Sequence, residues 1–330
     1  MNLLLNNSIN TAQWQKLLES SPFASPFQTP EYYNFFNSIS GFSADVFAVE
    51  QTEEIKALVS VSLQKEKGIK GYFSRRAIIY GGPVFFENSN KELSFLLQET
   101  AKYYRAKAIY LEIRNFFDYS AYKTIFEQAG FNYIPWLNFH LATDSLENEK
   151  MNISSSRMRQ IKKAIKAGAF WREAESEKEI KDFYEILLDL YQSKIKKPLP
   201  TFEFFQKFYS KKAGKYLLVF LDEKVIGGIM CPVLQNKAIY EFYVCGLDRE
   251  YKDQYPSVMA TWAAIEYALQ NYLPLFDFMG AGSPNESYGV REFKARFGGK
   301  QVEHGRFIKV LNPALYSIGK MGLNMLYKIK

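Results

Sequence analysis

One order of elements occurs twice along this chain: hairpin, strand, helix, strand, helix, glycine, strand. In the first half it runs from DVFAVE and IKALVSVSLQKEK through RRAIIYGGPVFF, a helix over Lys91–Arg105, AIYLEI, a helix over Ser120–Ala129, Gly130 and FNYIPWLNFHLAT. In the second it runs from KYLLVFLDEKVIGGIMCPVL through AIYEFYVCGLD, a helix over Pro256–Asn271, PLFDFMGAG, a helix over Ser287–Phe297, Gly298 and KQVEHGRFIKV. Identity between the halves is faint, so the repeat lies in the pattern of apolar periods and glycine stops. It restricts the fold to two α/β units in tandem, each a mixed β-sheet flanked by helices. At 330 residues each unit is long enough to bury a core of its own. The polar stretch Asp144–Ser156, with three consecutive serines, reads as a linker and divides the chain into lobes 1–145 and 146–330. Further helices are predicted at Thr11–Glu19 and Pro30–Asn37, and at Ser155–Ala167, Glu177–Gln192 and Thr201–Lys211.

Composition narrows the function classes. Lys and Arg exceed Asp and Glu by 42 to 35, a bias that suits phosphate-bearing partners or an anionic surface. Cys231 and Cys245 are the only cysteines, with no C-x-x-C, and there are two histidines, so neither a disulfide scaffold nor a zinc site is expected. The N-terminus MNLLLNNSINTAQW has no basic n-region, and no apolar run is long enough to span a bilayer. A cytoplasmic protein is expected on these grounds.

The stretch YGVREFKARFGG holds the first candidate for chemistry. Lys294, set between Phe293 and Phe297 on a short helix, is placed to present its ammonium to developing negative charge. The same spacing also describes a solvated face made by Arg291, Lys294 and Arg296. Asp277, in FDFMGAG, ends a buried strand, where an ionised carboxylate needs a partner. It either serves Lys294 and a proton transfer or makes structural hydrogen bonds. Glu241 and Tyr243 alternate along YEFYV, and with Tyr288 and Arg291 they are candidate substrate contacts. His140 and His304 have no partnered motif and read as strand-surface residues. The helix SSSRMRQIKKAIKAG divides into an apolar stripe of Met158, Ile161 and Ile165 and a basic side of Arg159, Lys162, Lys163 and Lys166. Arg159 and Lys163 are candidates for holding phosphates, against the alternative of a solvated face. The tail NPALYSIGKMGLNMLYKIK mixes leucines with lysines, as an interfacial helix or a helix packed on the second lobe would.

The order of elements resembles that of acyl-CoA N-acyltransferase (GNAT) folds, and the motifs resemble the Fem family of peptidoglycan bridge-forming aminoacyltransferases. PFQTPEYYNFF is similar to the family's N-terminal segment and RRAIIYGGP to its first glycine turn. SSSRMRQIKKAIKAG is similar to its second-lobe basic helix, and FDFMGAG followed by FKARFGG and Gly305 to its C-terminal core. The resemblance implies two GNAT-like lobes in tandem, with the transfer site in the second. It places Phe293 and Lys294 on the family's paired phenylalanine and lysine, where the lysine stabilises the oxyanion formed as an amine attacks an ester carbonyl. It also implies aminoacyl-tRNA as donor and a muropeptide or lipid-linked envelope precursor as acceptor; the lysine- and leucine-bearing tail adds the alternative of peripheral contact at the inner membrane face. No permanently bound cofactor and no stable protein partner are implied.

Two departures leave the acceptor open. No lysine follows Pro26-Phe27-Gln28, and QSKIKKPLPTFEFF supplies Lys194, Lys196 and Lys197 where an arginine is expected. Two other readings therefore stand beside aminoacyl transfer. One is an acyl-CoA-dependent N-acyltransferase acting on an amino sugar or similar acceptor, although the Q/R-x-x-G-x-G pattern is missing from GLDREYKDQYPSV. The other is a non-catalytic precursor-binding protein.

Overall fold

A computed structural model describes residues 1–66, 70–144 and 152–319. The chain forms two compact units. The first holds Met1–Pro135 together with residues 304–319, and the second holds Trp136–Glu303. These units are bounded differently from lobes cut at 145 and 146, since residues 304–319 group with the first unit. Part of the predicted linker, 145–151, lies outside the described residues, as do residues 320–330 of the tail.

In the first unit β1 (Asn2–Leu5) is followed by helices α1 (Thr11–Ser20) and α2 (Pro30–Asn37). Asn10 and Thr29 start these helices by accepting backbone N–H groups with their side chains, as N-caps do. Then come β2 (Phe42–Gln51), β3 (Glu54–Gln64), β4 (Arg76–Gly81), β5 (Val84–Phe85), α3 (Asn90–Tyr104), β6 (Tyr110–Asn115), α4 (Lys123–Gln128) and β7 (Asn132–Ile134). The sheet runs β1-β2-β3-β4-β6-β17-β7, with β5 on β3. Its β17 (Arg306–Val310) is the last strand among the described residues and lies antiparallel between β6 and β7. Strands β4 and β6 pair in parallel over six residues without a break, from Arg76↔Tyr110 to Gly81↔Asn115. Alternation sends Ala77, Ile79, Leu111, Ile113 and Phe307 into one core with Leu93, Leu97 and Phe126. Phe307 stacks on Phe126 with ring centroids 4.2 Å apart, which ties the returning strand to this core.

On the opposite side of that sheet Glu112 is buried. It accepts from Arg114 Nη2 at 2.9 Å and Arg306 Nη1 at 2.8 Å. Burial by itself raises the pKa of Glu112, but the two guanidiniums prevail and hold it at about 2.

The second unit begins with β8 (Leu137–Ala142), then α5 (Ser155–Lys166), β9 (Ala169–Glu173), α6 (Glu177–Leu190), α7 (Phe202–Ser210), β10 (Lys215–Leu221), β11 (Lys224–Cys231) and β12 (Val233–Leu234). It continues with β13 (Ala238–Tyr240), β14 (Tyr243–Gly246), α8 (Pro256–Gln270), β15 (Leu275–Asp277), α9 (Gly289–Ala295) and β16 (Lys300–Glu303). Here the strands form two sheets, β14-β11-β10-β9 and β12-β13-β15-β8-β16. Helix α8 is rich in small buried residues, among them Ala260, Ala263, Ala264 and Ala268, and packs in one core with Leu217, Ile229 and Phe276.

Three segments that read as single strands are in fact divided. FNYIPWLNFHLAT breaks at Pro135, which has no N–H for a ladder, so β7 stays in the first unit and β8 enters the second. KQVEHGRFIKV breaks at His304-Gly305 and sends β16 and β17 to different units. AIYEFYVCG is divided between the two sheets of the second unit at Glu241-Phe242. Among the described residues no helix is long and apolar enough to cross a membrane.

Candidate active site

The site grows from the break at Glu241. Strands β13 and β15 pair in parallel for only two residues, Ile239↔Phe276 and Tyr240↔Asp277. Glu241 N then donates to Asp277 O at 2.9 Å, whereas Phe242 N donates to Met230 O at 3.0 Å. From this point β14 follows β11, and the chain after Asp277 turns away into the loop 278–283. The two strands fork, and an acidic side chain sits at the crotch.

Glu241 is buried and its Oε1 lies 2.9 Å from Lys294 Nζ. The ammonium, itself 8% exposed, also donates to Phe278 O at 2.5 Å and to Gly280 O at 2.9 Å. Its three hydrogens therefore have three acceptors. The solvated-face reading of Lys294 is excluded, and so is a cation waiting unengaged in an open pocket. The other Glu241 oxygen, Oε2, makes no hydrogen bond of normal geometry. Burial raises the Glu241 pKa, Lys294 opposes this by charge and hydrogen bond, Asp277 adds to the rise, and the Thr261 hydroxyl lowers it slightly.

The loop after β15 is a set of backbone groups fixed by side chains. Met279, Gly280 and Gly282 have φ of 54°, 119° and 82°, and the value at Gly280 is one that a side chain rarely tolerates. Arg291 donates through Nε to Ala281 O at 3.0 Å and through Nη2 to Ser283 O. Lys294 and Arg291, one helical turn apart on α9, thus hold four carbonyls of this loop. From the other side Asp277 Oδ1 accepts from Met279 N at 2.6 Å and from Asn138 Nδ2 at 2.7 Å, and Asn138 Oδ1 accepts from Gly280 N at 2.7 Å. Asp277 makes structural hydrogen bonds and none to Lys294, so its reading as the orienting partner of that lysine is corrected in favour of Glu241. His140 also departs from the surface reading: its Nε2 lies 3.2 Å from Asp277 Oδ2.

The other predicted residues take different places. Phe293 packs edge-on against Phe297, with centroids 5.4 Å apart. Tyr288 precedes α9, is 39% exposed, and lies against Gly282. Burial raises its pKa, and the Glu241 charge adds to the rise. The Tyr243 ring is held by Phe205 at 5.1 Å, Phe242 at 4.8 Å and Tyr191 at 6.3 Å. Tyr191 opens a π-helical turn, Tyr191–Ile195, and burial followed by Tyr288 pushes its hydroxyl up to about 12. On α5, Lys163 is engaged by Asp253 at 2.9 Å and Arg159 is exposed. Among the described residues no hydrogen bond or ion pair joins either of them to Lys294 or Glu241.

Sequence reasoning missed Asn138, Thr261 and Arg157. The N-x-H alternation of Asn138 and His140 was a signal, but which carboxylate it faces is set by the register of β8 on β15. The stripe on α5 is also corrected. Ile165 is 55% exposed and Arg157 only 3%, because the buried face runs Arg157, Ile161, Ala164.

Residues 224–322, which contain the fork, the loop and α9, match the FemAB family. That match spans less than a third of the chain and covers most of its second unit's C-terminal half. Among solved structures it is similar to FemX at 15% identity, with a TM-score of 0.73 over 96% of this chain and 99% of that one. It is also similar to a tandem GNAT protein from the clavulanic acid biosynthesis pathway, at 11% identity and a TM-score of 0.59 over 94% and 99% of the two chains. A third match is L-PGS from Bacillus licheniformis, at 12% identity and 0.59 over 94% and 96%. At such identities these structures speak for the fold, two GNAT-like lobes in tandem. No curated protein matches the sequence.

Proposed function

We propose that this chain belongs to the Fem family and transfers an aminoacyl group from aminoacyl-tRNA to an amine of a peptidoglycan or related envelope precursor, using the fork in its second unit. The observation that carries the reading is the Glu241–Lys294 pair, buried where β13 and β15 part. The amine nitrogen attacks the ester carbonyl carbon, and the carbonyl oxygen becomes anionic. Of the three acceptors of Lys294, Gly280 O is on the more exposed side, so the oxyanion takes its place on the ammonium. The ammonium stays held by Glu241 and Phe278 O while it exchanges this one acceptor, so a nearly preorganised cation meets charge that develops only in the transition state. Glu241 Oε2 accepts the amine proton and returns it to the departing ribose oxygen, so an ester and an amine become an amide and an alcohol. A carboxylate with a raised pKa suits this relay better than an ordinary one.

The donor assignment draws on two further observations. Asp248 occupies the N-terminus of α8, where its Oδ1 accepts from Ser257 N at 3.0 Å and its Oδ2 from Ser257 Oγ at 2.6 Å. Pro256 supplies no N–H, so this helix start is satisfied by a carboxylate and would repel a diphosphate. That disfavours acyl-CoA. On α5, Arg159, Lys162 and Lys166 are exposed at helical spacing and suit a phosphate backbone.

The test is to incubate the protein with charged tRNA and, separately, with a panel of acyl-CoAs, each beside lipid-linked and nucleotide-linked muropeptides. Consumption of charged tRNA with amide formation is expected. Consumption of an acyl-CoA instead would replace the donor, and precursor binding without turnover of any pair would end the catalytic reading.

A further inference from the structure

We infer that Arg157 is a positioning residue, which holds α9 and through it the ammonium of Lys294 at the fork. It rests on the role proposed above for Lys294. Arg157 is 3% exposed, and among the described residues no carboxylate forms an ion pair with it. Its Nη2 donates to Phe293 O at 3.0 Å and its Nη1 to Gln160 Oε1 at 2.8 Å. The guanidinium carbon lies 4.5 Å from the ring centroid of Phe293 and 4.4 Å from that of Phe297, within cation–π range of both. Phe293, on α9, and Phe297, just past its end, flank Lys294.

A guanidinium buried without a carboxylate is costly, and an apolar side chain would fill the space more cheaply. Burial, with Arg296 nearby, lowers its pKa to about 10, so it is still charged at neutral pH. What the charge serves is the end of α9. This helix spans seven residues, too few to persist unaided, and its last carbonyls need donors. Arg157 supplies one at Phe293 O, and Ser154 N supplies another at Arg296 O, 3.0 Å away. A cation at a helix C-terminus is also favoured by the helix dipole. The planar fork of an arginine donates in its plane while stacking on two rings, which a lysine cannot reproduce. Fixing Phe293 and Phe297 fixes the turn between them, and with it the direction of the Lys294 side chain toward Glu241, Phe278 O and Gly280 O.

The experiment uses the full chain labelled with 15N-lysine. A buried ammonium with three acceptors exchanges slowly, and the Lys294 15Nζ resonance is assigned by its loss in Lys294→Gln. In Arg157→Gln that resonance is expected to shift or broaden while the far-UV spectrum stays that of a folded protein. Ile165→Ser, at an exposed position of the same helix, is expected to leave it unchanged. In the transfer assay Arg157→Gln is expected to lower kcat by about tenfold or more with KM little changed, as misplacement of a catalytic group does. Arg157→Lys, which keeps the charge without the fork, should recover part of the loss, and it carries the comparison if Arg157→Gln does not fold. A wild-type Lys294 resonance in folded Arg157→Gln or Arg157→Lys would overturn the inference. The resonance needs no substrate, so an inactive wild-type protein would sink the proposed reaction and leave this result to be read separately.

Discussion

The two units pair the same strands differently. In the first, β4 and β6 stay together for six residues, and the buried Glu112 beside them is enclosed by two arginines. In the second, β13 and β15 part after two residues, and the buried Glu241 has one cation and a second oxygen with no regular hydrogen bond. A closed parallel pair with a saturated carboxylate is a structural lock. A forked pair with a half-satisfied carboxylate leaves one buried oxygen without a regular hydrogen-bond partner where the strands part. The contrast in pKa follows the contrast in partners: two guanidiniums overcome burial at Glu112, whereas one ammonium fails to do so at Glu241.

The contrast breaks if both carboxylates behave alike. The largest effect is expected for Lys294→Ala, which should lose on the order of a hundredfold in turnover. Because it also strands Glu241 in the core, it should destabilise the fold by about 3–5 kcal/mol, read from denaturant unfolding. Normal turnover in a folded Lys294→Ala would remove the site from the second unit. Glu112→Ala strands two arginines and should cost a similar 3–5 kcal/mol or so, but with turnover per folded molecule unchanged. A matching loss of turnover would show that the first unit's cluster is more than a lock.

Acid should separate the two carboxylates more finely. The folded pKa of Glu112 is depressed, so its contribution of roughly 3 kcal/mol is present above the ordinary carboxylate range and lost as pH falls toward about 2. Glu241 has the opposite sign. Its folded pKa is raised, so the stability it adds is complete below the ordinary range and lost as pH rises through the folded value. Unfolding of Glu112→Gln and Glu241→Gln across pH checks both, and curves of the same sign would refute the contrast. The smallest effect is expected on the basic face of α5. Arg159→Gln should reduce the slope of tRNA affinity against salt by about one and leave the stability of both units unchanged. An unaltered slope would leave that face merely solvated.

Much of this architecture is legible in the sequence, since the repeated order of apolar periods and glycine stops requires two α/β units whatever their contacts. FDFMGAG and FKARFGG likewise mark the loop and helix that meet at the site. Other features are invisible to periodicity because pairing is settled between distant strands. Nothing in KQVEHGRFIKV says that its two halves serve different units, and nothing in YEFYV says that its pairing changes at Glu241. Asp277 and Glu241 look alike as single carboxylates in apolar strands, and only the loop at 278–283 and the placement of α9 decide which of them meets Lys294.

Helix α5 shows where the division falls. Its sequence alone determines an amphipathic helix, because spacing is local, and in the structure Ser154 caps its start. Which residues of that helix go inside was decided by what it packs against. The end of α9 offered a carbonyl and two rings, so an arginine is buried and an isoleucine left outside, against hydropathy but in accord with hydrogen bonding and cation–π attraction.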